Sequence, residues 1–156
     1  MQCGIACLCM VSKYFGREYS IETLSKICFA TNEGVSLLGI NEAAGKLGLH
    51  TVCGRVDVDM LCNAPLPCIL HWNQNHFVVL YKVKRGKKFY VADQGKGLVT
   101  YKMDEFSSHW ISTLSDGNEK GIAMFLKTTP AFFEHKSEVD RKKHSLRFLM
   151  GYFRQL

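Results

Sequence analysis

The sequence lacks the features of a membrane-spanning or exported chain. No apolar run approaches the roughly 18 residues that a transmembrane helix needs. The start, MQCGIACLCM, has no basic region ahead of an apolar one, so it does not predict a signal peptide. The seven cysteines are odd in number and are not spaced like a disulfide framework. These absences favour a reducing, cytosolic setting.

The sequence also lacks a nucleic-acid-binding pattern, although its formal net charge is +6. Such binding calls for basic residues interleaved with aromatic residues on one face, and no such stripe is present. Much of the excess charge lies in two clusters, residues 82–88 and 141–154, for which solvated surface is the simplest interpretation. There is no P-loop, internal repeat or low-complexity tract. We therefore predict no nucleic-acid partner.

What the sequence does contain is the pattern of one α+β domain. Its 156 residues, 47% of them hydrophobic and 22% charged, suffice for a buried core. The first 50 residues have apolar positions at helical spacing, with Ser20 and Ser36 as candidate N-caps. Six strand-like runs follow: HTVCGRVD, PCILHW, NHFVVLYKV, KFYVAD, LVTYK and IAMFLK, with one helix near MDEFSSHW. We predict N-terminal helices packed on a mostly antiparallel sheet of about six strands.

Cys3 is a candidate nucleophile. It lies at, or just before, the first turn of the predicted first helix, where unpaired backbone N–H groups and the helix dipole stabilise a thiolate. Its own N–H would lie beside the oxyanion formed by attack on a carbonyl, and Gly4 would let a substrate approach the backbone closely. The competing interpretation is a small buried residue, which is the common position of a free cysteine.

Cys7 and Cys9 complete a C-x-x-x-C-x-C pattern with Cys3. A structural zinc site usually takes four ligands in paired C-x-x-C-like knuckles, so this spacing does not favour a metal. The other four cysteines are scattered along the chain. We predict no metal site and expect Cys7 and Cys9 to pack in the core.

A cysteine nucleophile needs a base, and the base needs an orienting partner. The candidate bases are His71, His76 and His109. His71 has no acidic partner in view, and His109 lies in a separate helix-like stretch. His76 enters a strand that is followed by a second strand ending at Asp93, which favours His76.

The pairing of these two strands decides whether His76 and Asp93 meet. If an Arg-Gly turn places Lys84 opposite Lys87, then Val78 lies opposite Asp93, and His76 is the diagonal neighbour of Asp93. A carboxylate there holds the imidazole in one tautomer. A loop one residue longer or shorter would put Asp93 on the opposite face. The purely structural interpretation is a hydrogen-bonded histidine and an aspartate in a turn.

The local sequences resemble a known family. QCGIACLCMVSKYFG, HFVVLY and FYVADQG closely resemble the peptidase domain of bacterial peptidase-containing ABC transporters, the bacteriocin-processing or double-glycine peptidase family. Cys3, His76 and Asp93 match its nucleophile, base and aspartate, with gaps of 73 and 17 residues. The resemblance covers residues 1–133 and implies a papain-like cysteine peptidase domain there. It implies cleavage of bacteriocin or peptide leaders after a Gly-Gly pair, coupled to ATP-driven export.

The position of Cys3 at a helix start assigns the oxyanion site to the backbone of Cys3. The family also takes a side-chain donor from a glutamine six residues before the cysteine, where this chain has only two residues. Gln2 stands at the wrong offset for that role, so the expectation is a truncated start or a replacement donor. Loss of one such donor typically lowers turnover on the order of 100- to 1000-fold. The proline that follows the family's aspartate is Gln94 here, which leaves the carboxylate in place.

The resemblance also implies the surroundings of the domain. Residues 134–156, basic and amphipathic, would be a linker toward a membrane domain not present in this chain, at the cytoplasmic face of the bacterial inner membrane. The implied partners are the leader peptide and the transmembrane and ATPase domains of an exporter that is homodimeric in full length. ATP is expected only in the ATPase domain, and the peptidase domain is expected to need no cofactor. The alternatives are a peptidase-like module that binds the leader without cutting it, and a thiol redox or metal protein.

Overall fold

The computed structural model describes residues 3–28 and 36–134, with helices first and strands after them. The helices are α1 (Cys3–Tyr14), α2 (Ile21–Ile27), α3 (Leu37–Lys46), α4 (Val58–Cys62), α5 (Met103–Trp110) and α6 (Pro130–Glu134). The strands are β1 (Leu49–Val56), β2 (Cys68–Trp72), β3 (His76–Lys84), β4 (Lys88–Asp93), β5 (Gly97–Lys102), β6 (Ile111–Ser115) and β7 (Asn118–Thr128). The predicted α+β class is confirmed, with seven strands in this part of the chain instead of about six.

The two predicted N-caps are present. The Thr23 N–H donates to Ser20 Oγ at 3.1 Å, and the Gly39 N–H donates to Ser36 Oγ at 3.2 Å. Each bond satisfies one of the backbone donors that a helix start leaves unpaired, which stabilises a helix by about 1 kcal/mol. These caps fix where α2 and α3 begin, and both helices then pack beside α1.

The strands form one antiparallel sheet in the order β1-β7-β2-β3-β4-β5, with β6 paired to β7. The last long strand, β7, therefore lies between the first two. The sequence did not predict β6, which forms a hairpin with β7 through Asp116 and Gly117 at φ values of 53° and 78°. The short helices α4 and α6 were not predicted either.

The β3–β4 hairpin brings the two halves of the predicted pair together, and its register is the predicted one near the pair but not at the tip. The turn is as expected, since the Lys87 N–H donates to the Lys84 carbonyl at 3.1 Å. The ladder, however, pairs Lys84 with Lys88, one residue further on than predicted. A bulge at Tyr81 absorbs the extra residue, so that Val79 pairs with Ala92 and the predicted register returns.

The two faces of the sheet carry separate cores. Phe77 and Val79 belong to the cluster under α1, α2 and α3, while the alternating residues Val78 and Leu80 belong to the cluster under α5. On the α5 side, Trp110 packs so closely on Gly121 that a Cβ there would lie 2.3 Å from the indole ring. The α1 side positions the site, because α1 is laid directly against β3.

The helix α6, the last described element, packs against residues that follow α1 and α3. Phe132 is fully buried beside Phe15, with 6.3 Å between ring centroids, and its backbone abuts Gly48. Arg17 donates to the carbonyl of Phe133. No helix in residues 3–28 and 36–134 is long and apolar enough to cross a membrane. The predicted basic linker, apart from Glu134, lies outside the described residues.

Candidate active site

Cys3 is the first residue of α1, and only 8% of its surface is exposed. It lies among the backbone N–H groups that the first helical turn leaves unpaired, as the sequence predicted. The structure gives the adjacent Gly4 a packing role, while close approach of a substrate there stays a prediction. A Cβ at Gly4 would lie 2.7 Å from the tip of Ile40 and 3.6 Å from the Phe77 ring. The absence of a side chain therefore lets the start of α1 lie directly against the start of β3.

His76 and Asp93 are hydrogen-bonded, as the strand pairing predicted. His76 Nε2 lies 2.8 Å from Asp93 Oδ1, with the histidine side chain 30% exposed and the aspartate 4% exposed. An ionised carboxylate only accepts hydrogen bonds, so Nε2 carries the proton that it donates. In the neutral ring, Nδ1 is then unprotonated and available to take a proton from another group.

Asp93 is itself held in place by the turn that follows it. The Gly95 N–H donates to Asp93 Oδ1 at 2.9 Å, and the Lys96 N–H donates to the Asp93 carbonyl at 3.2 Å. The sequence left open whether Asp93 is a turn residue or the partner of a histidine, and it is both. The Gly95 N–H holds the carboxylate independently of the histidine, which is the preorganisation that an orienting group needs.

The surroundings of Asp93 keep it ionised. Burial is the largest influence and by itself raises the pKa of the carboxyl. The hydrogen bonds from His76 and Gly95, together with the positive charges of His76 and Lys96, outweigh that effect and leave the pKa below its ordinary value. The carboxylate is therefore charged at neutral pH and can stabilise a protonated His76.

The lowered pKa of Asp93 predicts a pH dependence of stability. Since the folded pKa lies below the unfolded value of about 3.9, the stabilisation is complete above that value and is lost as the pH falls through the folded pKa. The free energy of urea unfolding, measured from about pH 6 to pH 2, should fall less steeply in Asp93→Asn than in wild type. The exposed turn residue Asp116 supplies a control, because Asp116→Asn should retain the wild-type slope. Equal slopes in wild type and Asp93→Asn would contradict the assignment.

Cys7 and Cys9 of α1 were both predicted to pack in the core, and the prediction holds fully for Cys7 and in part for Cys9. Cys7 is fully buried, and burial, followed by the negative charges of Cys3, Asp93 and Cys9, raises the pKa of its thiol well above the ordinary value. Cys7 is therefore an unreactive core thiol. Cys9 is half-buried at the edge of the same cluster. Within the described residues, no three His, Cys, Asp or Glu side chains gather as a metal site would require.

The two rejected histidines have other partners. His109 Nδ1 lies 2.8 Å from Asn73 Oδ1, and its ring stacks on Trp72 with 5.0 Å between centroids. His71 packs on Phe77 at 5.3 Å. The sequence missed the His109–Asn73 bond, which joins the end of α5 to the β2–β3 turn directly before His76. The only sequence signal was the polar WNQN stretch, which does not indicate which distant side chain it meets.

Cys3 and His76 thus lie at neighbouring element starts. They are not hydrogen-bonded to each other in the described part of the chain. The arrangement provides a thiol at a helix start, a nearby imidazole with a free Nδ1 and a buried carboxylate that orients the imidazole. These are the parts that nucleophilic attack on a carbonyl requires. The individual catalytic roles of Cys3, His76 and Asp93 stay predictions.

The sequence of the chain matches a protein family and several named proteins. Residues 1–115 match the model of the peptidase C39 family. The chain is 35% identical over 150 residues to the colicin V secretion/processing ATP-binding protein CvaB of Escherichia coli, covering 96% of this chain and 20% of that protein. It is 33% identical over 118 residues to the lactococcin-G-processing and transport ATP-binding protein LagD of Lactococcus lactis subsp. lactis, covering 72% and 17%. The chain thus spans about a fifth of the length of these relatives.

The structure is also similar to solved ones. A double glycine motif protease from an AMS/PCAT transporter, crystallised in complex with the leader peptide, has a TM-score of 0.69 and 35% sequence identity to this chain. The match covers 82% of this chain and 85% of that one. It confirms the predicted papain-like fold, in which N-terminal helices pack on a mostly antiparallel sheet.

Proposed function

Because the chain belongs to the peptidase C39 family and is a cysteine peptidase domain, we propose that Cys3, His76 and Asp93 form its catalytic triad. The proposed reaction is cleavage of a leader peptide after a Gly-Gly pair. The observation that carries the proposal is the 2.8 Å bond between His76 and the buried Asp93, beside the helix that begins with Cys3. That bond leaves Nδ1 of the imidazole as the atom for proton transfer.

In the first half of the proposed reaction, His76 Nδ1 takes the proton of the Cys3 thiol. The thiolate, stabilised by the start of α1, attacks the carbonyl carbon of the second glycine. The charge that develops on the carbonyl oxygen lies near the backbone N–H of Cys3. The protonated His76, stabilised by Asp93, then gives its proton to the leaving amine, and the leader remains attached as a thioester.

In the second half, His76 takes a proton from a water molecule that attacks the thioester. The tetrahedral intermediate collapses by breaking the C–S bond, His76 returns its proton to the Cys3 thiolate, and the leader leaves as a free acid that ionises in water. The buried Asp93 keeps Nε2 as a donor through both halves, so the ring presents the same nitrogen each time. The backbone N–H of Cys3 is the oxyanion donor in this scheme. The family's glutamine remains without an assigned counterpart.

The Gly-Gly specificity is supported by two sources. The solved relative with a leader peptide is described as a double glycine motif protease, and the curated relatives are named as processing proteins for colicin V and lactococcin G. Physically, a narrow cleft rejects any side chain at the two positions before the scissile bond. The helical part of the leader would supply most of the affinity by docking on an apolar surface.

The remaining surroundings are proposed from the relatives. They are named as secretion or transport ATP-binding proteins, of which this chain corresponds to about a fifth. We place residues 1–133 as the peptidase domain and residues 134–156 as the linker to a transmembrane unit at the cytoplasmic face of the inner membrane. ATP would act in the ATPase domain of a homodimeric exporter, and the peptidase domain would need no cofactor.

The proposal is tested by incubating the chain with a peptide that carries an amphipathic leader, a Gly-Gly pair and a short mature sequence. Mass spectrometry should find one cut, directly after the second glycine. A matched peptide with Ala-Ala in place of Gly-Gly should be cut on the order of 100-fold more slowly, because the proposed narrow cleft has no room for the added methyl groups. Leader affinity, measured separately, should change little between the two peptides.

Two outcomes would contradict the proposal. Cleavage at an unrelated position would mean that the Gly-Gly pair is not recognised. Tight binding without cleavage would favour the alternative of a leader-binding module.

A further inference from the structure

The end of the β3–β4 hairpin carries a face of lysines. Lys84 pairs with Lys88, and Lys88 pairs with Lys102 of β5, so three lysines lie abreast on three neighbouring strands. Lys82 lies on the same face, with its ammonium 5.2 Å from the centre of the Tyr90 ring. The residues between them point into the core under α5, which turns this lysine face toward solvent.

Such a row is costly for the fold alone. Like charges directly opposite each other on neighbouring strands destabilise a sheet. In residues 3–28 and 36–134, no carboxylate forms an ion pair with Lys84, Lys88 or Lys102. One carboxylate in this part of the chain, that of Asp104, lines a groove together with Lys88 and Lys102 without forming an ion pair with them. The arrangement suits an anionic surface that is supplied from outside.

The lysine face lies at one particular end of the sheet. β3 and β7 both run antiparallel to β2, so they run in the same direction. The end of β7 at Thr128, and α6 after it, therefore lie at the same end as the tip of the β3–β4 hairpin. His76 and Asp93 lie at the opposite end, where β3 begins and β4 finishes.

We propose that the lysine face binds the anionic surface of a lipid bilayer. The chain continues beyond Glu134 into a segment with basic residues at 141–143, 147 and 154, and it leaves the sheet at the lysine end. The described chain therefore ends, at Glu134, on the side of the domain that carries the lysine face. Each Lys or Arg close to an anionic bilayer strengthens binding by roughly fivefold.

This contact orients the domain. With the hairpin tip and the start of the linker on the bilayer, the end of the sheet that bears His76 and Asp93 points away from the lipid. The site is then open to a peptide arriving from the aqueous side. The inference goes beyond the proposed peptidase activity, since it concerns a surface at the opposite end of the sheet from His76 and Asp93.

The test is vesicle flotation with the full 156-residue chain. The probe is phosphatidylcholine vesicles with about one-third phosphatidylglycerol, at an ionic strength of about 0.1 M. The wild type should bind these vesicles and not vesicles of phosphatidylcholine alone. The triple variant Lys84→Gln, Lys88→Gln, Lys102→Gln should bind on the order of 100-fold more weakly, from roughly fivefold per lysine.

A control removes the same charge elsewhere. The variant Arg55→Gln, Lys96→Gln, Lys120→Gln changes three basic residues at the end of the sheet that bears His76 and Asp93, and it should weaken binding less than about threefold. Equal losses in the two triple variants would overturn the proposal, because binding would then follow net charge alone. A hairpin-dependent binding of nucleic acid, without vesicle binding, would overturn it too.

The proposed leader cleavage and the proposed lipid binding can be tested independently of each other. Leader cleavage measured without vesicles should be the same in wild type and in the triple variant of Lys84, Lys88 and Lys102, since none of these lysines belongs to the proposed catalytic site. Vesicle binding, in turn, can be measured on a chain that cuts no peptide.

Discussion

Replacing Cys3 by alanine is expected to lower the turnover of a Gly-Gly leader peptide by a factor on the order of 10⁴ or more. The variant keeps the helix start and the His76–Asp93 bond but has no sulfur to form the thioester, and loss of a nucleophile removes nearly all covalent catalysis. Leader affinity should stay within about twofold, because the side chain is small and buried. Single-turnover cleavage followed by mass spectrometry, together with a binding titration, measures both quantities.

Cys9 provides the matched control for that experiment. It lies on the same helix and is half-buried, yet it has no place in the proposed reaction. Cys9→Ala should retain the wild-type rate. Alkylation by iodoacetamide should stop cleavage by this variant and should label Cys3 first. A Cys3→Ala variant that still cuts after Gly-Gly would contradict the choice of nucleophile.

Replacing His76 by alanine is expected to lower turnover by a factor on the order of 10² to 10⁴, the range of general acid–base catalysis. The change removes the group that accepts the thiol proton and returns a proton to the leaving amine, while the thiol itself remains. The effect should fall on kcat, with KM nearly unchanged. Imidazole added to the solution should restore part of the rate, because the His76 side chain is 30% exposed and the space it vacates beside Asp93 is therefore open to solvent.

His71 tests the specificity of that result. It lies on the neighbouring strand and packs on Phe77, so it is close to the site without a role in proton transfer. His71→Asn should keep kcat within about threefold and should not respond to added imidazole. If His71→Asn lost as much activity as His76→Ala, the assignment of the base to His76 would be wrong.

The features that the sequence predicted correctly are those set by local chemistry. The Ser20 and Ser36 caps depend on a side chain and a backbone N–H three residues apart, which the sequence shows directly. The buried position of Cys7 follows from helical spacing. The partnership of His76 and Asp93 was predicted from strand alternation. That prediction contained two errors that cancel each other, one in the pairing at the hairpin tip and one in the absence of a bulge.

The errors came from contacts between distant residues. The hairpin was expected to pair Lys84 with Lys87, and no bulge was expected at Tyr81. A bulge depends on how two strands twist against their neighbours, so no local sequence pattern predicts it. Here the ring of Tyr81 contacts that of Tyr90 on the next strand. The strand β6 was missed for a similar reason. It is short and becomes a strand through its pairing with β7.

The bulge at Tyr81 has a consequence for how this protein can vary. The pairs of Val79 with Ala92 and of Leu80 with Val91 hold the register on the site side of the bulge. Beyond it, the ladder continues with a different offset, so the tip is free of the alignment that the His76–Asp93 bond requires. Insertions near Gly86 can change the length and the chemistry of the tip while the bond stays intact. The proposed lipid-binding surface and the proposed catalytic site can therefore evolve, or be engineered, independently.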